Sequence, residues 1–141
     1  MSPPRSALLL LVTVATCLSA ESVLQIARWP DLVAQAKDCG VEYPAIAARA
    51  ERGDRQALST IFRVTPCTDG SGRTSHCSVL RVLLERLSDS TFCQALRSES
   101  SRVRTDVVQA LDFDFGMPWQ KTFPRTYSLG THDARLLRGK Q

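Results

Sequence analysis

Hydrophobic residues recur along the centre of the chain at the three- and four-residue spacing that is typical of amphipathic helices. Asp54 precedes apolar residues at positions 57, 58, 61 and 62, so its carboxylate can cap a helix with one buried face. Gly53 suits the end of the preceding helix, and Pro44 suits that helix's first turn. The pattern therefore predicts two consecutive helices that meet at Gly53.

Three more apolar stripes follow. The first comprises Leu80, Leu83, Leu84 and Leu87, the second Phe92, Cys93 and Leu96, and the third Val103, Val107, Val108 and Leu111. Ser88 or Asp89 is expected to cap the second of these helices, and Pro30 is expected to begin an earlier one. No stretch alternates apolar and polar residues as a half-buried strand does. We therefore predict an all-α fold over residues 23–115, either a small bundle or a short stack of antiparallel helical hairpins.

The carboxyl-terminal segment, residues 116–141, has a different pattern. It carries prolines, lacks a sustained helical period and belongs to an aromatic-rich region that contains Phe113, Phe115, Trp119, Phe123 and Tyr127. We expect an irregular chain that packs these rings on the helical core, with a disordered end over residues 133–141. Five basic residues and one acidic residue occur in this segment, whereas residues 21–115 are nearly neutral. The basic tail is therefore expected to make weak, salt-sensitive contact with an anionic surface.

The first 22 residues have the pattern of an export signal. Arg5 precedes a continuous apolar run over residues 7–15, which is too short to span a bilayer, and small residues follow it. We predict a signal peptide over residues 1–22 and hence a periplasmic or secreted protein. An alternative comes from V-A-T-C at residues 14–17, which resembles a bacterial lipoprotein box and implies a lipid on Cys17.

Four cysteines follow the signal segment: Cys39, Cys67, Cys77 and Cys93. An even number in an exported protein favours disulfide bonds, and three pairings are open. We expect the local pair Cys67–Cys77, with Cys39–Cys93 as its complement. The stretch T-P-C-T-D-G-S-G-R-T-S-H-C, residues 65–77, would then be a connector between two helices that the Cys67–Cys77 bond closes into a loop. The second helix would begin near residue 74 or 75, with Thr74 or Ser75 as its cap.

Residues 65–77 do not have the spacing that a zinc site, a phosphate-binding loop or a catalytic cysteine requires. Structural zinc commonly needs two closely spaced ligand pairs, whereas His76 and Cys77 are adjacent and Cys67 stands apart. A phosphate loop requires a preceding strand and a Lys-Ser or Lys-Thr pair after the glycines. His76 is poorly placed to activate Cys77, because neighbouring helical residues point about 100° apart. We therefore expect no metal, no cofactor and no catalytic residue.

The segment S-S-R-V-R-T-D-V-V-Q-A-L-D, residues 100–112, resembles the second helix of HEAT-like helical repeats, in which a Val-Arg pair precedes an apolar helix. The resemblance covers this segment and identifies no specific family. It implies stacked helix pairs that present a binding surface rather than a catalytic site.

These observations favour a small exported binding or interaction protein without catalytic machinery. Its expected contact residues lie in the cysteine-bracketed stretch and the aromatic segment: Asp69, Arg73, His76, Trp119, Arg125 and Tyr127. The expected partner is another protein of the envelope or the extracellular space, and not a specific nucleic acid. One alternative is a lipid-anchored structural protein that depends on Cys17. The other is an envelope hydrolase that uses Asp69, His76, Asp112, Asp114 or His132.

Overall fold

The chain folds into eight α-helices and one 3₁₀ turn within residues 22–116 and 118–138, which this computed structural model describes; for residues 133–138 the description covers the backbone only. In chain order these elements are α1 (Val23–Ala27), α2 (Pro30–Asp38), α3 (Tyr43–Glu51), α4 (Arg55–Val64), the 3₁₀ turn (Thr65–Cys67), α5 (Gly70–Leu96), α6 (Ser101–Phe115), α7 (Trp119–Thr122) and α8 (Pro124–Arg138). No strand occurs in these ranges, so the predicted all-α fold is confirmed. The predicted signal segment and Cys17 lie outside the described residues, apart from Ser22. Within the described ranges, no helix has both the length and the apolar character that a membrane span requires.

The central element is α5, which packs against α1, α2, α3, α4, α6 and α8. The three predicted stripes face the core, and their fully buried members are Leu80, Leu83, Leu84, Phe92, Leu96, Val107 and Leu111. Phe62 of α4 packs edge-on against Phe92 of α5, with 5.0 Å between the ring centroids. Each large side chain buried in this way stabilises the fold by about 1.5–3 kcal/mol.

The predicted start of α4 at Asp54 is confirmed. The Asp54 carboxylate accepts hydrogen bonds from the backbone N–H groups of Gln56 (3.0 Å) and Ala57 (3.1 Å). Gly53 adopts φ +84°, the left-handed conformation that commonly follows the end of a helix such as α3. Pro44 lies in the first turn of α3, and α2 likewise begins at a proline.

The stretch from Thr65 to Cys77 is not the connector that the sequence predicts. Its first three residues form the 3₁₀ turn, and α5 begins at Gly70, so Thr74 and Ser75 lie inside the helix. Asp69 is the extended residue that precedes α5, with φ −141° and ψ 173°. The glycine-rich segment is therefore the first turn of the longest helix rather than a chain reversal.

Packing against α2 explains why this glycine-rich segment is helical. Gln35 of α2 donates from Nε2 to Asp69 Oδ1 (2.7 Å), and its Oε1 accepts from the Asp69 backbone N–H (3.0 Å). A Cβ at Gly72 would lie 2.3 Å from Gln35 Oε1, so a side chain at this position would displace the Gln35 amide from its place beside Asp69. The contact offsets the weak helix propensity of glycine.

The disulfide pairing also differs from the prediction. Cys39, just after α2, is bonded to Cys67 at the end of the 3₁₀ turn, with the two Cα atoms 6.5 Å apart. Cys77 and Cys93 are buried thiols. The predicted pairs Cys67–Cys77 and Cys39–Cys93 are wrong because α5 begins at Gly70 and carries Cys77 into the core, whereas Cys39 stays exposed.

A break at Ser88 divides α5 into two arms, residues 70–87 and 89–96. Ser88 has φ 75° and ψ 155°, a backbone region that residues other than glycine seldom occupy. The helix predicted to start behind Ser88 or Asp89 therefore exists as a separate arm. The Asp89 carboxylate accepts from the backbone N–H groups of Arg125 (2.8 Å) and Thr126 (2.9 Å) in the first turn of α8. The break thus determines where α8 docks.

The carboxyl-terminal segment is helical, whereas the sequence pattern predicts an irregular chain. Helices α7 and α8 follow Gly116, and α8 packs along α6. A Cβ at Gly130 would lie 2.3 Å from Val108 Cγ2, so this packing depends on a glycine that a hydrophobic pattern does not register. Helix α8 continues to Arg138, through most of the end that was expected to be disordered, and residues 139–141 lie outside the description.

The aromatic residues of this region occupy different environments. Trp119 is buried, and Phe115, Phe123 and Tyr127 are partly buried against the core. Phe113 is 69% exposed, contrary to the expectation that it covers the core. The reason is that α6 continues through Phe113, and the side of the helix that packs inward carries Leu111 and Phe115 instead.

Replacing Ser88 by glycine is expected to raise the free energy of unfolding by about 1 kcal/mol. Glycine adopts this backbone region without the steric cost that serine incurs, and the gain exceeds the added freedom of the unfolded chain. Equilibrium unfolding in urea measures the difference. Ser88→Ala is the matched control, because alanine keeps the steric cost; an equal or lower stability of Ser88→Gly relative to Ser88→Ala would contradict the strained backbone.

Alkylation of the unfolded, unreduced protein without residues 1–22 is expected to label Cys77 and Cys93 and to leave Cys39 and Cys67 linked. The bridge joins residues 28 apart in sequence, which on the chain-entropy model stabilises the fold by roughly 3–4 kcal/mol. Peptide mapping by mass spectrometry with and without reduction identifies the pairs. Recovery of a linked Cys67–Cys77 peptide would restore the pairing predicted from the sequence.

Candidate functional site

An open cleft lies between the end of α5 and helix α8. It has a volume of about 820 Å³, and its lining comprises Arg97, Pro124, Arg125, Ser128, Leu129, Thr131 and His132. A smaller pocket of about 200 Å³ shares Arg97 and Arg125 with it and adds Ser90, Cys93 and Gln94. We call the cleft and this pocket together the arginine cleft.

The break in α5 and the cap on α8 position both arginines. Arg97 directly follows the last residue of α5, and Arg125 is the second residue of α8. The Asp89 carboxylate holds the first turn of α8 against the second arm of α5, and Arg125 Nη1 donates to Ser90 Oγ (3.1 Å) on that arm. The two guanidinium groups therefore line one recess although they are 28 positions apart in the sequence.

Neither guanidinium of the arginine cleft is paired with a carboxylate among the described side chains. The ion pairs in that part of the chain lie elsewhere: Arg49–Asp54, Arg63–Glu99, Arg81–Glu85, Arg81–Asp114 and Arg86–Glu51. The Asp89 carboxylate, on the same arm as the cleft, accepts from backbone N–H groups. The arginine cleft therefore presents two positive charges with the planar donor geometry that suits carboxylates and phosphates.

Cys93 lines the smaller pocket as a thiol. Burial raises the pKa of this thiol above its usual value, and the nearby Arg97 acts in the opposite direction. A thiol with a raised pKa is a poor nucleophile at neutral pH, because little thiolate is present. The pocket thus offers charge and hydrogen-bond donors rather than a reactive sulfur.

His76, expected to contact a partner, lies instead in the core and is 0% exposed. Its Nδ1 is 2.5 Å from the Tyr43 hydroxyl, and its Nε2 is 2.9 Å from Thr65 Oγ1. Burial, with a smaller contribution from the charge of Arg73, lowers the pKa of His76 to about 3. Burial also raises the pKa of Tyr43 well above its usual value. The imidazole is therefore a neutral bridge between α3, the 3₁₀ turn and α5.

The other expected contact residues are distributed over the molecule. Asp69 is hydrogen-bonded to Gln35, Arg73 donates from Nη1 to the Thr65 carbonyl (2.8 Å), and half-buried Tyr127 packs edge-on against Trp119. Trp119 is only 4% exposed, so it is part of the core rather than a free contact residue.

Arg125 alone of the predicted contact residues lines the arginine cleft, and sequence reasoning missed Arg97. The available signal was its position directly after Leu96, the last residue of an apolar stripe, because cations are favoured at the carboxyl ends of helices. That signal indicates a helix end, but it does not predict that Arg125 of α8 lines the same pocket as Arg97.

The acidic residues proposed for a hydrolase have separate structural partners. Asp112 accepts from Trp119 Nε1 (2.6 Å), and Asp114 accepts from Ser78 Oγ (2.8 Å) and Arg81 Nε (2.5 Å). His132 lines the arginine cleft. Over residues 22–116 and 118–132, no group of three or more His, Cys, Asp or Glu side chains is arranged to hold a metal ion. These residues do not form a single catalytic arrangement.

A second recess lies beside the arginine cleft. It has a volume of about 640 Å³ and is lined by Glu85, Phe115, Pro118, Trp119, Lys121, Thr122 and Phe123. We call it the aromatic groove. Phe123 lines the groove and Pro124 lines the cleft, so consecutive residues of the α7–α8 junction separate the two recesses.

Comparisons with protein-family models, curated proteins and solved structures find no match to this chain. The similarity to HEAT-like repeats remains a resemblance of residues 100–112, most of which lie in α6. The arginine cleft and the aromatic groove are therefore interpreted from their own residues.

The stability of the protein is expected to depend on His76 as the pH falls from about 6.5 to about 3. The folded state lowers the pKa of His76 to about 3, whereas an unfolded histidine titrates near 6.5, so acid protonates the unfolded chain first. The stabilisation is complete above pH 6.5 and is lost as the pH falls, at up to about 1.4 kcal/mol per pH unit.

Urea unfolding at several pH values measures this slope for the wild type and for His76→Gln. The variant is expected to be less stable at pH 7 and to have a flatter pH dependence. The same change at His132, which is exposed, is the matched control for the substitution itself. Parallel pH profiles for the wild type and His76→Gln would show that His76 does not carry the effect.

Proposed function

We propose that the chain is an exported, non-catalytic interaction protein that binds an acidic segment of a partner protein through the arginine cleft. The observation that carries the proposal is the pair Arg97 and Arg125, which line one recess and have no carboxylate partner among the described side chains. A guanidinium group binds a carboxylate with two parallel hydrogen bonds, and two such groups favour a ligand with more than one acid.

The uncharged lining of the cleft favours a peptide over a bare ion. Ser90, Gln94 and Ser128 supply hydroxyl and amide groups that can bind a main chain, and Pro124 and Leu129 supply apolar surface. Residues 21–115 are nearly neutral, which does not favour the extended phosphate contacts of nucleic-acid binding. The basic residues near the carboxyl end add attraction toward any acidic surface.

Two features support export. Residues 1–22 have the charge and apolar pattern of a signal peptide, and the Cys39–Cys67 bridge is of the kind that oxidising compartments maintain. The remaining thiols, Cys77 and Cys93, are buried, which protects them from further oxidation. Export followed by membrane anchoring through a lipid on Cys17 is the alternative form of this proposal.

A fluorescent glutamate-rich peptide is expected to bind the wild type and to bind the double variant Arg97→Ala/Arg125→Ala at least about tenfold more weakly. Removal of charge-assisted hydrogen bonds costs about 1.5–3 kcal/mol per bond, and the affinity is expected to fall as salt is added. Fluorescence anisotropy gives the dissociation constants at several salt concentrations.

The control variant is Arg28→Ala/Arg55→Ala, which removes the same charge from exposed positions outside the cleft. It should bind the glutamate-rich peptide almost as well as the wild type. Equal losses in both double variants would mean that net charge, rather than the arginine cleft, attracts the peptide, and the proposed function would then fail.

A further inference from the structure

We propose that the partner segment carries an apolar side chain, preferably aromatic, close to its acidic residues, and that this side chain occupies the aromatic groove. The inference rests on the proposed function, because the acidic residues are taken to lie in the arginine cleft. It adds a second recess to the binding surface and defines the partner more narrowly, as an extended acidic segment with one apolar anchor.

The aromatic rings that line the groove pack on one another. Phe115 stacks on Trp119 with 5.5 Å between the ring centroids and 11° between the ring planes, and Phe123 lies 5.5 Å from Phe115. Trp119 is itself held by the hydrogen bond from its Nε1 to Asp112 Oδ1 (2.6 Å). Because these rings are already ordered, a ligand side chain that contacts them incurs little further loss of conformational entropy in the protein.

The rings leave apolar surface open to solvent. Phe115 and Phe123 are only partly buried, and the groove volume of about 640 Å³ falls within the range of sites that hold organic ligands. Aromatic and other large apolar side chains commonly act as the anchors of protein interfaces when they fill such recesses. The groove therefore has room for an apolar side chain of a peptide, such as phenylalanine or leucine.

One cation at the groove, Lys121, extends the positive charge of the cleft. Lys121 is exposed, lines the groove and has no ion pair among the described side chains, whereas Glu85, which also lines it, shares the guanidinium group of Arg81 with Asp114. The positive charge of Lys121 therefore has the same sign as the charges of Arg97 and Arg125. A segment with acidic residues around an apolar anchor is electrically complementary to all three cations.

The two recesses are close enough for one short peptide. Phe123 and Pro124 are consecutive residues, whose Cα atoms are about 3.8 Å apart, and they line the groove and the cleft respectively. An extended chain advances roughly 3.4 Å per residue, so a segment of about six residues reaches about 20 Å. Acidic and apolar side chains of one segment can therefore occupy both recesses.

The test compares three peptides of equal length. One is rich in glutamate and carries one phenylalanine, the second has serine in place of the phenylalanine, and the third keeps the phenylalanine but has glutamine in place of every glutamate. We expect the first peptide to bind the full-length protein about tenfold more tightly than the second, and the third to bind more weakly than both. Anisotropy of a label on the peptide gives each dissociation constant.

Trp119 supplies an independent signal. The chain contains two tryptophans, so in the Trp29→Phe protein the emission reports on Trp119 alone. The peptide with phenylalanine should change that emission, and the peptide with serine should leave it nearly constant although it also binds. This readout locates the apolar side chain at the groove rather than at another surface.

Variants of the groove complete the design. Phe123→Ala is expected to weaken binding of the phenylalanine peptide about tenfold and to leave binding of the serine peptide unchanged. Phe123→Leu keeps an apolar side chain against the core and should retain most of the binding, and thermal unfolding of each variant confirms that it is folded. Lys121→Ala, at an exposed site, is expected to weaken the binding of both glutamate-containing peptides by a smaller factor.

The outcomes separate the two proposals. If the phenylalanine and serine peptides bind equally and the Trp119 emission does not change, the aromatic groove is not part of the binding surface, while the proposed function stands. If neither glutamate-containing peptide binds, the proposed function fails and the inference fails with it. Tighter binding of the phenylalanine peptide that persists in folded Phe123→Ala would also overturn the assignment to this groove.

Discussion

The carboxyl-terminal half of the molecule depends on the cap that the Asp89 carboxylate provides to α8. That cap is geometrically possible because α5 breaks at Ser88, and the break places a serine in a backbone region that costs about 1–3 kcal/mol. A cap contributes about 1 kcal/mol, and an anion at a helix amino end adds a favourable interaction with the helix dipole. The close packing of Gly130 on Val108 then fixes α8 along α6. Arg97 and Arg125 line one recess as a consequence of this docking.

The amino-terminal half has a corresponding anchor at the 3₁₀ turn, which contacts from two other parts of the chain hold in place. Cys67 is bonded to Cys39 after α2, and Thr65 contacts the buried imidazole of His76 and accepts from Arg73. These contacts come from α2 and from α5 and surround a turn of three residues. The glycine-rich start of α5 is stable in this setting for two reasons. Gln35 accepts a hydrogen bond from the Asp69 backbone N–H, and Gly72 leaves room for the Gln35 side chain. A chain segment that resembles a loop in sequence is therefore the start of a helix.

The sequence predicts the fold better than the site, and particular residues explain why. The stripes that end in Phe62, Leu87, Leu96 and Leu111 and the cap at Asp54 are local signals, and each appears in the structure as expected. The disulfide was mispredicted because its partners are set by where α5 begins, and Gln35 controls that start from a distant helix. Helix α8 was missed because its cap comes from Asp89 and its packing from Gly130, and neither produces a hydrophobic period.

The arginines of this protein divide into two groups with different physical roles. Arg63 and Arg81 neutralise carboxylates that are largely removed from water, Glu99 and Asp114, so their charges are required by the fold. Arg97 and Arg125 have no such carboxylate among the described side chains, and they lie together at an open recess next to exposed ring surface. A guanidinium group keeps its proton at any physiological pH, so it binds and orients anions rather than transferring protons. The chemistry that these two residues offer is recognition, which is why we interpret the cleft as a binding site.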